Sequence, residues 1–193
     1  MTSVTRQPDK LDYASPTQFS FGIHQLPKVQ FFSTAATIPA IALSDVVIPT
    51  PFKSIPMMGD QLTFDNLSIT YIVDEYLENF LSIHEWMTAI GFPKNRTQFS
   101  EFRANTSNTP TARLGSDGEI GEVSKTTGVN ALFSDATLTV LSNKNNPIVN
   151  VFFRDLYPIA MSALDYNQGA TDVEYLTATV DFAYQIYEIE PIV

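Results

Sequence analysis

Leu176-Thr177-Ala178-Thr179-Val180-Asp181-Phe182-Ala183-Tyr184-Gln185-Ile186 decides the fold class. Leu176, Ala178, Val180, Phe182, Tyr184 and Ile186 share one parity, while Tyr175, Thr177, Thr179, Asp181 and Gln185 take the other. A strand sends successive side chains to opposite faces, so this period of two predicts one long strand with a buried face and a wet face. The pattern recurs upstream. Phe19, Phe21 and Ile23 alternate with Gln18, Ser20 and Gly22, Ala136, Leu138 and Val140 alternate with threonines, and Val149, Val151 and Phe153 form a further row. The run from Val29 to Ser33 is β-prone, and Ile38 to Ile48 reads as extended chain between Pro39 and Pro49. Leu62 and Phe64 are followed by Leu67, Ile69, Tyr71 and Val73 on the opposite parity, a slip at Asp65-Asn66 that predicts a β-bulge.

Three segments depart from this alternation. Pro49, Pro51 and Pro56 lie close together, and proline cannot donate to a sheet ladder, so residues 49–59 are expected as a loop or protruding arm outside any central sheet. After Val73 the apolar spacing changes to Tyr76, Phe80, Ile83, Met87 and Ile90, with Leu77 and Leu81 widening the stripe, which predicts an amphipathic helix over about 74–91. Asp74 suits its N-cap, Glu75 and Glu78 suit the positive end of its dipole, and Gly91-Phe92-Pro93 supplies its stop. From about 93 to 130 periodicity fades into Thr, Ser, Asn and Gly, predicting a long loop insertion. Its five bases (Lys94, Arg96, Arg103, Arg113, Lys125) nearly balance four acids (Glu101, Asp117, Glu119, Glu122), so it suits either a solvated loop or a segment docked on an acidic neighbour.

The 193 residues fit a single domain spanning 1–193. With 44% apolar and 17% charged residues, 14 Phe and 8 Tyr, the chain can build a core. Eleven bases against 21 acids leave a net charge of −10 with no Lys/Arg run, which argues against a surface that grips nucleic acid or an anionic membrane. The absence of an apolar leader at the N-terminus, and of any apolar stretch long enough to span a bilayer, leads to the expectation of a soluble protein made in a cytoplasm.

Chemistry is sparse. No cysteine is present, and His24 and His84 are the only imidazoles, so thiolate sites, His clusters and nucleophile–His–acid triads lack their raw material. Gly115, Gly118 and Gly121 do not make a dinucleotide fingerprint, no phosphate loop occurs, and Asp117-Gly118-Glu119 lacks the alternating ligands of a calcium loop. Triplets at Asn66, Asn95 and Asn105 match a glycan acceptor pattern only by chance in a chain without a secretion signal. Asp74 with Glu75, or Asp60 with Asp65, supplies carboxylates of the type used in glycoside hydrolysis, but Asp74 and Glu75 already have a role at a helix start. The expectation is no enzyme, with no catalytic, cofactor-binding or metal residues and no cofactor.

The order of these features carries a resemblance. Gly59-Asp60-Gln61-Leu62-Thr63-Phe64-Asp65 is followed by the β-run Thr70 to Glu75 and by Ile83 and Trp86 on the helix. Asp135-Ala136 opens a strand to Leu141, Val149 to Phe153 leads into Leu156-Tyr157-Pro158, and Val173 to Tyr187 closes the series. Across residues 16–92 and 131–189 this succession resembles the tail tube protein family of contractile-tailed (T4-like) bacteriophages, with Tyr157 where a Trp is common. The resemblance implies a mainly β fold, an antiparallel β-sandwich or barrel with one flanking helix, assembled into hexameric, ring-shaped β-barrels. It implies stacking of those rings into a hollow acidic conduit for viral DNA, with the tail sheath and a baseplate or tail-terminator protein as partners. It also implies a place in the tail tube of a virion, as the main tube subunit or a related terminal ring, after assembly in the host cytoplasm without a membrane. Asp181 and Glu188 are candidate wall charges, and their opposite parities allow at most one on a given regular face. Two other readings stay open: a tube subunit of a phage-derived contractile injection or secretion system, and a carbohydrate-binding β-sandwich that uses Trp86 as an exposed aromatic and Asp74 as an acid.

Overall fold

Among the described residues the apolar alternation becomes nine antiparallel strands, seven of them in one sheet around a shared core. The computed structural model of the protein describes residues 13–23, 32–91, 93–95, 97–98, 133–169 and 175–192. In chain order the elements are β1 (Phe19–Ile23), β2 (Ser33–Ala36), β3 (Ile41–Ile48), β4 (Ile55–Phe64), β5 (Leu67–Ile72), α1 (Glu78–Gly91), β6 (Ser134–Leu141), β7 (Pro147–Met161), β8 (Thr177–Ala183) and β9 (Ile186–Pro191). Seven strands make one sheet in the order β1-β6-β7-β8-β5-β2, with β9 also on β7, while β3 and β4 pair only with each other.

The long β7 folds the sheet into two leaves. Residues 149–154 of β7 pair with β9 and residues 147–156 with β6, whereas residues 157–161 pair with β8. The change of leaf sits at Asp155, whose φ of 51° is left-handed and which lies in a register shift opposite Asp135. Asp is among the few L residues that enter this region readily, and the Asp135 carboxylate accepts the Asp155 N–H at 3.0 Å. The first leaf is β1-β6-β7-β9; the second is β2-β5-β8 with the end of β7.

The core lies between the leaves. Phe21, Ile23, Ala136, Leu138, Val151 and Phe153 come from the first, and Leu67, Ile69, Tyr71, Ala178, Val180 and Phe182 from the second. Burying side chains of this size is the main favourable contribution to folding, at about 1.5–3 kcal/mol for each large apolar residue.

Four expectations need correction. First, the slip at Asp65-Asn66 is no bulge within a strand: it is where the chain leaves β4 in the separate hairpin and enters β5 in the main sheet. Second, the terminal segment is two strands, because the backbone breaks at Tyr184-Gln185, where the Gln185 N–H bonds to the Arg154 carbonyl at 3.0 Å. Ala178, Val180 and Phe182 are buried as expected, but Ile186 is exposed on β9.

Third, the helix starts at Glu78, not at Asp74. A turn closed by Leu77 N–H on the Asp74 carbonyl precedes it, and Leu77 has a φ of 57°, which a helix cannot contain. Asp74 still contributes a carboxylate oxygen, 3.4 Å from the Asn79 N–H. Fourth, the buried stripe runs through Asn79, Ile83, Trp86 and Ala89, with Phe80, Met87 and Ile90 packed beside it, while Tyr76 and Leu81 are exposed. Asn79 is tolerated in the interior because its amide donates to the Ile72 carbonyl at 2.8 Å and accepts from the Phe80 N–H at 2.8 Å. The glycine stop at Gly91 holds. Of the expected 93–130 insertion only residues 93–95 and 97–98 are described, so that expectation and the Val29 to Phe31 part of the second β-run lie outside the described residues, as does His24.

Candidate assembly surfaces

The segment expected as a proline-rich arm over 49–59 is the distal part of a longer arm, the hairpin β3–β4 from Ile41 to Phe64. Pro49 and Pro51 occupy its tip, where a ladder donor is not needed, and Pro56 pairs with Val47 in a two-stranded ladder. At the tip the Thr50 hydroxyl bonds to the Lys53 carbonyl. Near its middle the register shifts, so that Gly59, Asp60 and Gln61 lie between the pairs Asp45–Met58 and Leu43–Leu62, opposite the single residue Ser44. Glycine is required there: a Cβ on Gly59 would come within 2.5 Å of the Ser44 carbonyl oxygen. The Ser44 hydroxyl accepts the Gln61 N–H at 3.2 Å and closes the bulge.

The arm is apolar on both faces. Ile41, Leu43, Leu62 and Phe64 project to one side of its base, and Val46, Ile48, Ile55 and Met57 to the other side nearer the tip. Among the described residues, eleven of the twenty-two exposed large hydrophobic side chains lie between Ile41 and Phe64, and Phe52 at the tip is fully exposed. A contiguous apolar surface of this kind marks an interaction site.

Four aromatic rings gather at the root of the arm. Phe64, the last residue of β4, meets Tyr184 and Tyr187 edge-on at 6.5 and 5.7 Å between ring centroids. Both tyrosines also contact Phe153 of β7, at 5.2 and 5.7 Å. The Tyr184 hydroxyl donates to the Asp65 carbonyl at 2.7 Å, and the Tyr187 hydroxyl donates to the Pro39 carbonyl at 3.1 Å. Burial first, then the nearby Tyr187 and Asp65, push the Tyr184 hydroxyl up to about 12.

The outer faces of the two leaves differ in chemistry. On the first leaf Thr139 bonds Asn150 at 2.9 Å, Phe152 is half-buried, and Arg154 pairs with Glu188 at 2.6 Å. On the second leaf Ser68, Thr70, Thr177, Thr179 and Asp181 share the face away from the core, with the Thr70 and Thr179 hydroxyls 3.1 Å apart. No Lys or Arg occurs in β2, β5, β8 or residues 157–161. The two candidate wall charges are therefore separated: Asp181 stands on the second leaf, and Glu188 on the first with a cation beside it. Each leaf also has two edges that no described strand pairs, β1 and β9 on the first, β2 and the end of β7 on the second.

The other candidates have structural positions. Trp86 is fully buried, with its ring 6.2 Å from that of Phe182, so it offers no exposed platform for a sugar. Asp74 serves the helix start, Asp60 lies in the arm bulge, Asp65 lies at the arm root, and His84 is exposed on α1. Among the described residues no three His, Asp or Glu side chains gather in a metal-holding group, and no helix is long and apolar enough to cross a membrane. Sequence reasoning missed the two tyrosine bonds, for which local periodicity holds no signal, and the role of Gly59, which was visible only as a glycine interrupting β-prone sequence.

No family model matches this sequence, and no curated protein matches it. Solved structures do match. A chain of the anti-feeding prophage baseplate, in a 6-fold symmetrised cryo-EM structure, aligns with a TM-score of 0.56 and 11% identity over 94% of this chain and 97% of that one. A chain of the anti-feeding prophage cap, which terminates its tube, aligns with a TM-score of 0.55 and 11% identity over 98% and 99%. A chain of the sheath/tube terminator of an extracellular contractile injection system gives 0.50 and 8% over 94% and 99%. The fold is thus one found in tube-associated components of contractile injection systems, along nearly the full length of this chain and of theirs.

Proposed function

We propose that this chain is a structural, non-enzymatic subunit of a tail-tube-like assembly, which joins with copies of itself into hexameric rings that stack into a hollow conduit. The observation that carries the reading is the arm, a hairpin with exposed apolar side chains on both faces among the described residues. Burying both faces of such a hairpin requires insertion between other surfaces, and a head-to-tail contact between identical copies provides them repeatedly. The unpaired edges of the leaves point the same way. Exposed edges are an aggregation hazard in a free subunit, and cyclic closure satisfies them. The tail-tube resemblance in sequence order and the shared fold of the injection-system components support the same role.

In this reading the second leaf lines the bore. Ser68, Thr70, Thr177 and Thr179, with Ile72, make a wall of mostly short hydroxylated side chains, and Asp181 adds one negative charge per subunit with no cation among the described residues of that leaf. A polyanion gains affinity by releasing counterions at each cation it meets, so a wall without Lys or Arg lets DNA pass without holding it. Glu188, paired with Arg154, faces outward, toward a sheath. The subunit then belongs to a tail, with sheath and baseplate or terminator proteins as partners. The likeness to anti-feeding prophage components favours a second version, in which the same conduit serves a phage-derived injection machine that delivers protein.

Negative-stain microscopy and mass photometry of the purified chain at rising concentration test the proposal. Rings or hollow rods of six-fold symmetry are the expected result. A monomer that persists at every concentration, and in the presence of a baseplate template, overturns it.

A further inference from the structure

The arm joins the sandwich through two single chain segments, residues 37–40 and 65–66, and among the described residues its strands pair with no other strand. A hairpin held only there would swing about its root. Three bonds act against this. The Asp65 N–H bonds to the Ala40 carbonyl at 3.1 Å and ties the two feet together. Tyr187 holds the entering foot at Pro39, and Tyr184 holds the leaving foot at Asp65. Both tyrosines flank the break between β8 and β9, so the feet are fixed to the point where the two leaves meet. The Phe64 ring against both tyrosine rings adds a second, apolar constraint.

We propose that Tyr184 and Tyr187 are positioning residues for assembly, which hold the arm before contact in the orientation in which a second copy of this chain receives it. This rests on the tube-subunit reading above. Ordering a mobile segment at the moment of binding reduces affinity, and fixing it beforehand removes that cost. The Tyr184 hydroxyl is suited to a permanent donor role, since a tyrosine hydroxyl stays protonated at ordinary pH. Charge favours a second copy as the occupant. Residues 41–64 hold one base (Lys53) and two acids (Asp45, Asp60), a net of −1, beside eleven exposed large apolar side chains. With so few charges on an apolar surface, the arm can approach another acidic copy without strong repulsion.

The test removes the hydroxyls and keeps the rings: Tyr184→Phe, Tyr187→Phe and the double variant. Because the chain has no cysteine, Phe52→Cys at the arm tip and Lys144→Cys on the β6–β7 turn can carry a spin-label pair in each background. In the double variant the label distance distribution is expected to broaden. The concentration for half-assembly is expected to rise about fivefold or more because the arm must then be ordered on contact, while the thermal midpoint of the dilute monomer falls only by the loss of two neutral hydrogen bonds. An unchanged distance distribution, or unchanged half-assembly in a background where the parent chain assembles, overturns the proposal. Failure of the parent chain itself to assemble sinks the tube reading instead, and the label distances still decide whether the tyrosines fix the arm.

Discussion

The Tyr184 hydroxyl donates to the carbonyl of Asp65 at 2.7 Å, joining the end of β8 to the foot of an arm 119 residues away in sequence. With Tyr187 on Pro39, this bond makes the arm an extension of the sandwich core, since the same two rings pack on Phe153 and Phe64. The arm surface, which carries assembly in the proposed reading, and the interior that carries stability therefore meet at the arm root. Variants on either side of that point should separate the two properties.

Gly59→Ala is expected to disable the arm. The added methyl has no place beside the Ser44 carbonyl, so the bulge must open or the register must shift. Ser44→Ala should not rescue it, because the carbonyl oxygen remains. The arm contributes nothing to the buried core, so the urea midpoint should correspond to a change of under about 1 kcal/mol while ring formation is lost. Normal rings from Gly59→Ala would show that the bulge geometry is dispensable.

Trp86→Ala removes the largest fully buried side chain. Truncating a buried aromatic typically costs about 3–5 kcal/mol. Denaturant unfolding should show a loss of that size, and calorimetry with oligosaccharides should give no binding heat for either the parent or the variant. Sugar binding abolished by Trp86→Ala at unchanged stability would revive the carbohydrate reading.

Tyr71 is buried in the core with a hydroxyl that has no hydrogen-bond partner among the described residues. Burial pushes that hydroxyl up to about 12 from its ordinary 10.0. Tyr71→Phe should therefore stabilise the fold by about 1 kcal/mol, since an unpaired buried polar group is unfavourable, and raise the melting temperature by about 2–4 °C. The sign of the pH effect follows from the same shift. Below pH 10 the hydroxyl is protonated in both states and stability is at its full value. Between pH 10 and 12 the unfolded chain loses the proton first and stability falls. Tyr71→Phe should flatten the decline measured by urea titration across that window, and an unaltered slope would count against the shift.

Asp181→Lys should impede cargo in an assembled tube that passes DNA, because it places a cation on the hydroxylated leaf of every subunit. Glu188→Lys, on the other leaf, should leave passage unchanged and lose only the partly exposed pair with Arg154, a change of about 1 kcal/mol or less. Single-particle ejection kinetics compare the two. Equal slowing by both, or by neither, would reject the assignment of the second leaf to the bore.

Much of this architecture was legible in the chain itself. Period two in Phe19 to Ile23, Ala136 to Val140, Val149 to Phe153 and Ala178 to Phe182 identified the strands and their buried faces, because alternation is a direct consequence of strand geometry. The change of spacing after Val73 identified the helix, and Gly91 its end, while the left-handed Leu77 that delays its start left no mark in the apolar pattern. The slip at Asp65-Asn66 was visible but ambiguous, since a bulge and a change of sheet invert parity alike.

Composition and alternation determined that this is an acidic, mainly β protein with no cysteine, two histidines and no glycine-rich nucleotide-binding motif. Tertiary structure alone decided that the terminal segment divides between two leaves, that Asp181 and Glu188 stand on different faces, and that the apolar arm is tied by Tyr184 and Tyr187. The reason is physical. Alternation reports which way a side chain points relative to its own strand, whereas the partners of Tyr184 and Tyr187 lie 119 and 148 residues away and are chosen by packing between leaves.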